Sequence, residues 1–406
     1  MRGWPTKITA IEPSIVSISA DGGGYAISTA KRDRGSSRGG GSPSIVLRVH
    51  TDEGITGIGE AYSAGPNLGV VEVIRDFESW LVGQDPREVE RLWHLMYNGS
   101  RFPPGVVTGA AISGIEHALW DIKGKALGVP VWELLGGKCR ERIRVYQAPG
   151  GNSPETIAEN AVALVERYKF TALKLNPFPA NFESLSWNES VAQAVARVES
   201  VRRAVGDDVD IAVDVHAKLF EPIRAIEVAE ALRPYKLFFL EEPIRPENLD
   251  ALVGIKRQVK VPIATGENLY TRHQFRNLLV REAADYIQPD VCATGGLLEM
   301  KKIAAMAESF YVSVIPHNPC GPVATAVNAQ FAACTQNFVI LEYKADDEPP
   351  RRDLLQEPVR LVDGYLELPT APGLGISLNE EFIARNQSEG WRRTLPTRPD
   401  GSLGYV

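Results

Sequence analysis

The chain has 406 residues, 44% of them hydrophobic, and a formal net charge of -7. That length exceeds one small core and fits two domains, or one large barrel with an added layer. The negative charge argues against nucleic acid as the main partner.

The four cysteines, Cys139, Cys292, Cys320 and Cys334, show neither metal-binding spacing nor a dense disulfide framework. They read as thiols in a reducing cytoplasm. The opening MRGWPTKITAIEPSIV lacks a signal peptide's basic-apolar-cleavage pattern, and no stretch approaches a membrane span. A soluble, cytoplasmic protein without a membrane partner is the expectation.

Residues 5–60 read as antiparallel strands, with Asp52-Glu53-Gly54 turning the chain between apolar segments. The intervening residues 22–43 form a glycine-rich loop carrying Lys31, Arg32, Arg34 and Arg38. It fits either a solvated insert or a basic lid over an anionic substrate. Its GGG run lacks the Lys-Ser/Thr arrangement that cradles phosphate. Helical periodicity follows over residues 71–83, 86–97 and 108–128. His94 and His117 lie inside these patterns as packing or interface residues.

After ERIRVYQAPG, short apolar strands alternate with helical runs: TALKLN, IAVDVH, LFFLEEP, VPIATGE, YIQPD, VSVIPH and FVILEY. Repeated strand-helix units of this size predict a (β/α) barrel, with a doubly wound sheet as the alternative. The rhythm stops at VDGYLELPTAPGLGISLN, which reads as a hairpin, and GWRRTLPTRPDGSLGYV reads as an irregular tail. The expected division is an N-terminal α+β part over 1–140, a barrel over 141–360, and a C-terminal segment over 361–406 that packs back on the first part.

Six polar residues close successive apolar runs: Asp214, Glu241, Glu267, Asp290, His317 and Glu342, separated by 27, 26, 23, 27 and 25 residues. One barrel unit has that length, and C-terminal strand ends converge on one mouth. Three carboxylates there, Asp214, Glu241 and Glu267, would repel strongly without a divalent cation. Oxygen ligands without cysteine favour Mg²⁺, with Mn²⁺ as a substitute. Glu242 competes with Glu241 for the ligand role, and Glu241 is preferred as the first acid after the apolar run. Asp290 could orient His317 as a general base. Strand alternation points His216 the same way as Asp214, as a candidate acid. Lys174 and Asn176 share one face of TALKLNP; the lysine could pair with a substrate carboxylate or the metal-site charge. Glu342 could hydrogen-bond a substrate oxygen if protonated, or form an ion pair.

LKLN, DVH, FLEEP, ATGENLYTRHQF, IQPDVCATGG, IPHNPCGP and ILEY, in this order, resemble the enolase superfamily, in its mandelate racemase-like branch. VHTDEGITGIGEAY and GAAISGIEHALWDIKGKALGVPVWELLGG resemble its N-terminal capping region. The resemblance, closest to sugar-acid dehydratases, implies an α/β protein: a modified (β/α)₇β TIM barrel under an α+β capping domain, assembled as a homo-oligomer. It implies Mg²⁺ on Asp214, Glu241 and Glu267, an Asp290-His317 dyad, His216 as general acid, and Glu342 contacting substrate oxygen. Lys174 matches the first lysine of the racemase K-x-K motif, but Asn176 replaces the second. That departure disfavours two-base racemisation and favours one-base elimination from a sugar acid, giving a 2-keto-3-deoxy acid. Tyr25, the basic loop, Tyr62 and Arg101 are expected around the mouth. Ala217-Lys218 differs from the Gly-Arg often found after DVH, which leaves the sugar unnamed.

Overall fold

The computed structural model describes residues 6–18, 43–63, 65–99, 101–390 and 395–404; Tyr25 and the basic loop of residues 31–38 lie outside them. β1 (Ile8–Val16), β2 (Ser44–Thr51) and β3 (Thr56–Ala61) form an antiparallel sheet in that order. The expected turn joins β2 to β3, where Gly54 takes a φ of 78° and donates its N–H to the Thr51 carbonyl. Helices Asn67–Leu81, Val89–Gly99 and Val106–Leu127 follow. The last is buried almost throughout and lies directly on β3. Side-chain-free backbone permits this contact: a Cβ on Gly59 would lie 1.9 Å from the Gly114 carbonyl oxygen.

Eight parallel strands then close a barrel: β4 (Arg142–Tyr146), β5 (Ala172–Leu175), β6 (Asp210–Asp214), β7 (Leu240–Glu241), β8 (Ile263–Thr265), β9 (Tyr286–Ile287), β10 (Ser313–Val314) and β11 (Leu341–Glu342). β5 through β10 pair in sequence order, and β11 pairs parallel to β4. The Gln147–Leu173 and Val314–Phe338 bridges complete the ring. Each strand from β4 to β10 is followed by an α-helix before the next, whereas β11 is followed only by a short 3-10 turn, Arg352–Leu354, which gives (β/α)₇β. Short strands suffice because each needs only to cross the barrel wall. The helices take their ends from the chain: Ser153 and Ser186 cap two of them, the latter with a capping box through Glu189.

A distinct apolar cluster fills the barrel's interior, with Tyr146, Ala172, Ala212, Phe239, Ala264, Ile315 and Ile340 packed together and Tyr286 beside them. Each comes from a different strand or its edge. Beyond β11, the expected hairpin forms from β12 (Leu361–Val362) and β13 (Tyr365–Glu367). β13 pairs with β4 of the barrel rather than with the N-terminal sheet. Farther on, the chain does reach that sheet: Gln387 bridges Val16, and Glu380 pairs with Arg48 of β2. No helix of the described residues is long and apolar enough to cross a membrane.

Candidate active site

The interior cluster locates the site through the two-residue strand period. Two positions beyond Ala172, Ala212, Phe239, Tyr286, Ile315 and Ile340 stand Lys174, Asp214, Glu241, Gln288, His317 and Glu342. Apolar side chains fill the barrel, and one step farther along the same face the chemistry changes to charged and amide groups. Glu267, three residues beyond Ala264, falls one residue off this period, and Asp290 stands one step farther along it, two residues beyond Gln288. A parallel bridge between Asp290 and His317 brings that pair together.

Carboxylate oxygens of Asp214, Glu241 and Glu267 lie within 4.8 Å of one another. Lys174 is buried among them, with Nζ 2.6 Å from Glu241, 3.3 Å from Asp214 and 3.7 Å from Glu342. One ammonium cannot neutralise so many acids. Burial works against ionising Asp214, yet His216 and Lys174 hold it down at about 2. Glu241 pays for the crowding: burial and the Asp214 charge push it well above the usual carboxylate range. Burial also raises Glu267. Three oxygen donors that cannot all ionise together fit a divalent cation, and oxygen-only chemistry suits Mg²⁺ or Mn²⁺. Beside them, Gln288 donates to Glu241 at 2.7 Å, while its buried amide oxygen has no hydrogen-bond partner among the described residues.

Glu242 turns away from this trio. Its φ of 42° re-aims the side chain, which accepts from Thr265 Oγ1 at 2.6 Å and Gly266 N at 2.9 Å. These donors occupy the carboxylate, so the geometry favours Glu241 in the trio.

His317 Nδ1 donates to Asp290 Oδ2 at 2.9 Å, leaving Nε2 3.4 Å from Glu267. Burial alone would lower this imidazole's pKa, but Glu267 and Asp290 raise it to about 10. A cation on Glu267 would offset that acid's charge and return His317 towards a basic, unprotonated state at neutral pH. His216 sits opposite, with Nε2 3.1 Å from Asp214. Strand alternation is not what brings it there, because β6 ends at Asp214. Consecutive left-handed residues, His216 at φ 55° and Ala217 at φ 53°, fold the chain back so that the His216 N–H donates to Asp214 Oδ1 at 2.8 Å. Such conformations are costly away from glycine and collect at functional sites. Burial lowers His216 to about 4 despite Asp214. Asn176 Nδ2 donates to His216 Nδ1 at 3.2 Å, and its own oxygen accepts from Phe178 N at 2.9 Å.

The family of "Enolase C-terminal domain-like" proteins matches residues 156–382. The "Mandelate racemase / muconate lactonizing enzyme, N-terminal domain" family matches residues 38–136. The chain belongs to the enolase superfamily. This superfamily member is 35% identical to a D-galactonate dehydratase of Ralstonia pickettii, over 88% of this chain and 95% of that protein. A D-gluconate dehydratase of Thermoproteus tenax is 37% identical, over 86% of this chain and 70% of that protein. Among solved structures, an enolase from Agrobacterium radiobacter with sodium and L-malate bound superposes with a TM-score of 0.89. It is 36% identical and the match covers 98% of this chain and all of that one.

Other expected groups of the enolase-superfamily site divide. Tyr62 reaches the mouth from the N-terminal sheet, its ring centroid 6.3 Å from that of His317. Arg101 is exposed after the helix Val89–Gly99, in a left-handed turn at φ 66°, and no contact among the described residues joins it to the strand-end groups. At Glu342 burial opposes ionisation, but Lys174 and Lys344 hold the carboxyl well below the usual range. It accepts a hydrogen bond from Asn318 N at 3.1 Å. Sequence reasoning missed Gln288 and Lys344. The two-residue step from Tyr286 marks Gln288, and a second such step from Ile340 past Glu342 marks Lys344. Of the histidines expected to pack, His117 is buried with Nε2 3.2 Å from the Val291 carbonyl, and His94 sits at the surface beside Glu90.

Proposed function

We propose that this hydro-lyase dehydrates a sugar acid, a hexonate or pentonate of the gluconate or galactonate kind, to a 2-keto-3-deoxy acid. Asp214, Glu241 and Glu267 would hold Mg²⁺. When bound, the cation supplies positive charge that offsets the negative charge developing on the substrate during proton abstraction. The observation that carries the reading is the asymmetry of bases around the trio. An imidazole oriented by Asp290 and raised in basicity, His317, stands on one side; opposite it His216 is a far weaker base at about 4, and Asn176 beside it is an amide.

His317 Nε2 takes the C2 proton, with Asp290 fixing the ring and stabilising the imidazolium. The C3–O bond then breaks, and the departing hydroxyl leaves as water with a proton from His216. That imidazole is neutral in the resting site and its side chain is 21% exposed. It takes its proton from solvent as an anionic substrate binds. Asn176 holds the ring towards Asp214 without offering a base. Lys174 keeps the surrounding carboxylates compensated, and the enol product tautomerises to the 2-keto acid. Names of the relatives, D-galactonate and D-gluconate dehydratase, support the same substrate class.

A panel of hexonates and pentonates with Mg²⁺, followed by 2-keto acid formation, tests the reading. At least one member is expected to turn over. Conversion of an acid to its C2 epimer instead would replace elimination by two-base chemistry.

A further inference from the structure

Two sulfurs stand behind the Asp290-His317 pair. Cys292 lies two residues beyond Asp290 and Cys320 three beyond His317. Both are buried, at 0% and 7% exposure, and their thiols hydrogen-bond one another. Each sulfur and an oxygen of Asp290 lie within 4.8 Å of the others. A tetrahedral ion with bonds of about 2.3 Å to sulfur and about 2.1 Å to oxygen spaces its donors roughly 3.6–3.8 Å apart. Small side-chain movements would close this cluster on an ion. Its donor set differs from that of Asp214, Glu241 and Glu267, being two sulfurs and one oxygen rather than oxygen alone.

We propose that Asp290, Cys292 and Cys320 form a second cation site, selective for a thiophilic divalent ion such as Zn²⁺ or Cd²⁺, whose filling silences the enzyme. On binding, each thiol loses its proton to solvent and bonds the ion through sulfur, with no electron transfer. Before binding, the cluster carries one carboxylate charge. Afterwards the ion's two positive charges offset two thiolates, so the buried net charge is unchanged. Burial pushes the Cys292 thiol up; at Cys320 the hydrogen bond from Cys292 lowers the thiol, but burial together with the charges of Asp290 and Glu60 raises it to about 11. Both are therefore protonated at rest, and a hard ion such as Mg²⁺ gains too little from sulfur to displace those protons.

The consequence for activity rests on the reading of Asp290 and His317 as a dyad. Asp290 already receives the Cys292 N–H on Oδ1 at 2.7 Å and His317 on Oδ2. An ion bonded to this carboxylate competes with His317 for its oxygens and weakens the hydrogen bond that orients the ring. Losing such a supporting partner costs about 10- to 100-fold in activity.

The Mg²⁺-loaded enzyme, kept reduced, is titrated with CdCl₂ while thiolate-to-cadmium ultraviolet absorption and turnover are followed. The expected result is an absorption gain together with a 10- to 100-fold activity loss that excess Mg²⁺ does not relieve. Both responses should vanish in the Cys292→Ser/Cys320→Ser enzyme and persist in Cys139→Ser/Cys334→Ser. Unchanged absorption in the first variant, or relief by Mg²⁺, overturns the site. Should that variant fold poorly, cadmium-113 resonance of the native protein decides: a sulfur-rich shift upholds the proposal and an all-oxygen shift overturns it. A cysteine-dependent absorption gain without activity loss upholds the site and counts against the dyad instead.

Discussion

At His317 two acids raise one imidazole, and that balance sets a pH signature. With no cation, its folded value of about 10 stands above the ordinary 6.5. A raised base stabilises the fold fully below about pH 6.5, and the contribution is lost as pH rises through about 10. Thermal melts in EDTA should therefore show a decline across that window, and His317→Asn should flatten it. In the loaded enzyme, His317→Asn should lower both C2 hydrogen exchange and product formation by about 10²–10⁴. His216→Asn should retain exchange in D₂O while product falls, since proton abstraction precedes departure of the hydroxyl. Loss of exchange in that variant would deny His216 its place in the second step. Asp214, Glu241, Glu267, Asp290 and His317 were legible because each closes an apolar run at nearly constant spacing. The destination of Glu242 was not, because a left-handed residue and donors from the next strand decide it.

Among elements, buried acids of the N-terminal part grip the barrel helices. Glu60 of β3 accepts from Gly321 N at 2.6 Å and Ala324 N at 2.8 Å, at the start of the helix Pro322–Ala333. Glu116 accepts from Leu297 N and Leu298 N at the start of Leu297–Ser309. Gly296, at φ 93°, makes room, since a Cβ there would lie 2.3 Å from Glu116 Oε2. Each carboxylate supplies a helix N-terminus with the acceptor and negative charge it favours. Burial nevertheless raises both acids to about 7. Raised carboxylates add stability below their ordinary 4.5 that is lost as pH climbs through about 7. Glu60→Gln should flatten that part of the stability profile. Glu60→Ala should cost about 1–3 kcal/mol at every pH, because it strands buried N–H groups; urea melts at pH 5 and 8 separate the two. These contacts join residues 181 to 264 positions apart. Local periodicity finds the helices and strands themselves, but it carries no record of such partners.

Across the whole molecule, a closed parallel barrel holds six acids, Asp214, Glu241, Glu242, Glu267, Asp290 and Glu342, around its mouth, with Lys174 and Lys344 as the ammoniums paired to them. The strand-helix rhythm made this barrel legible, while the split attachment of the C-terminal segment was not, since β13 finds β4 only in three dimensions. The acid excess makes cation binding and stability one quantity. Mg²⁺ at 100 times its Kd should stabilise the fold by about 2.7 kcal/mol. Differential scanning fluorimetry should register that gain in the native protein and lose it in Glu267→Gln. The central claim, elimination by a single base at C2, is tested most directly by NMR of a turned-over sugar acid in D₂O with Mg²⁺. The account predicts a 2-keto-3-deoxy product from the native enzyme and neither C2 exchange nor product from His317→Asn. Deuterium at C2 of an epimerised acid, with no keto product from any substrate, would contradict it.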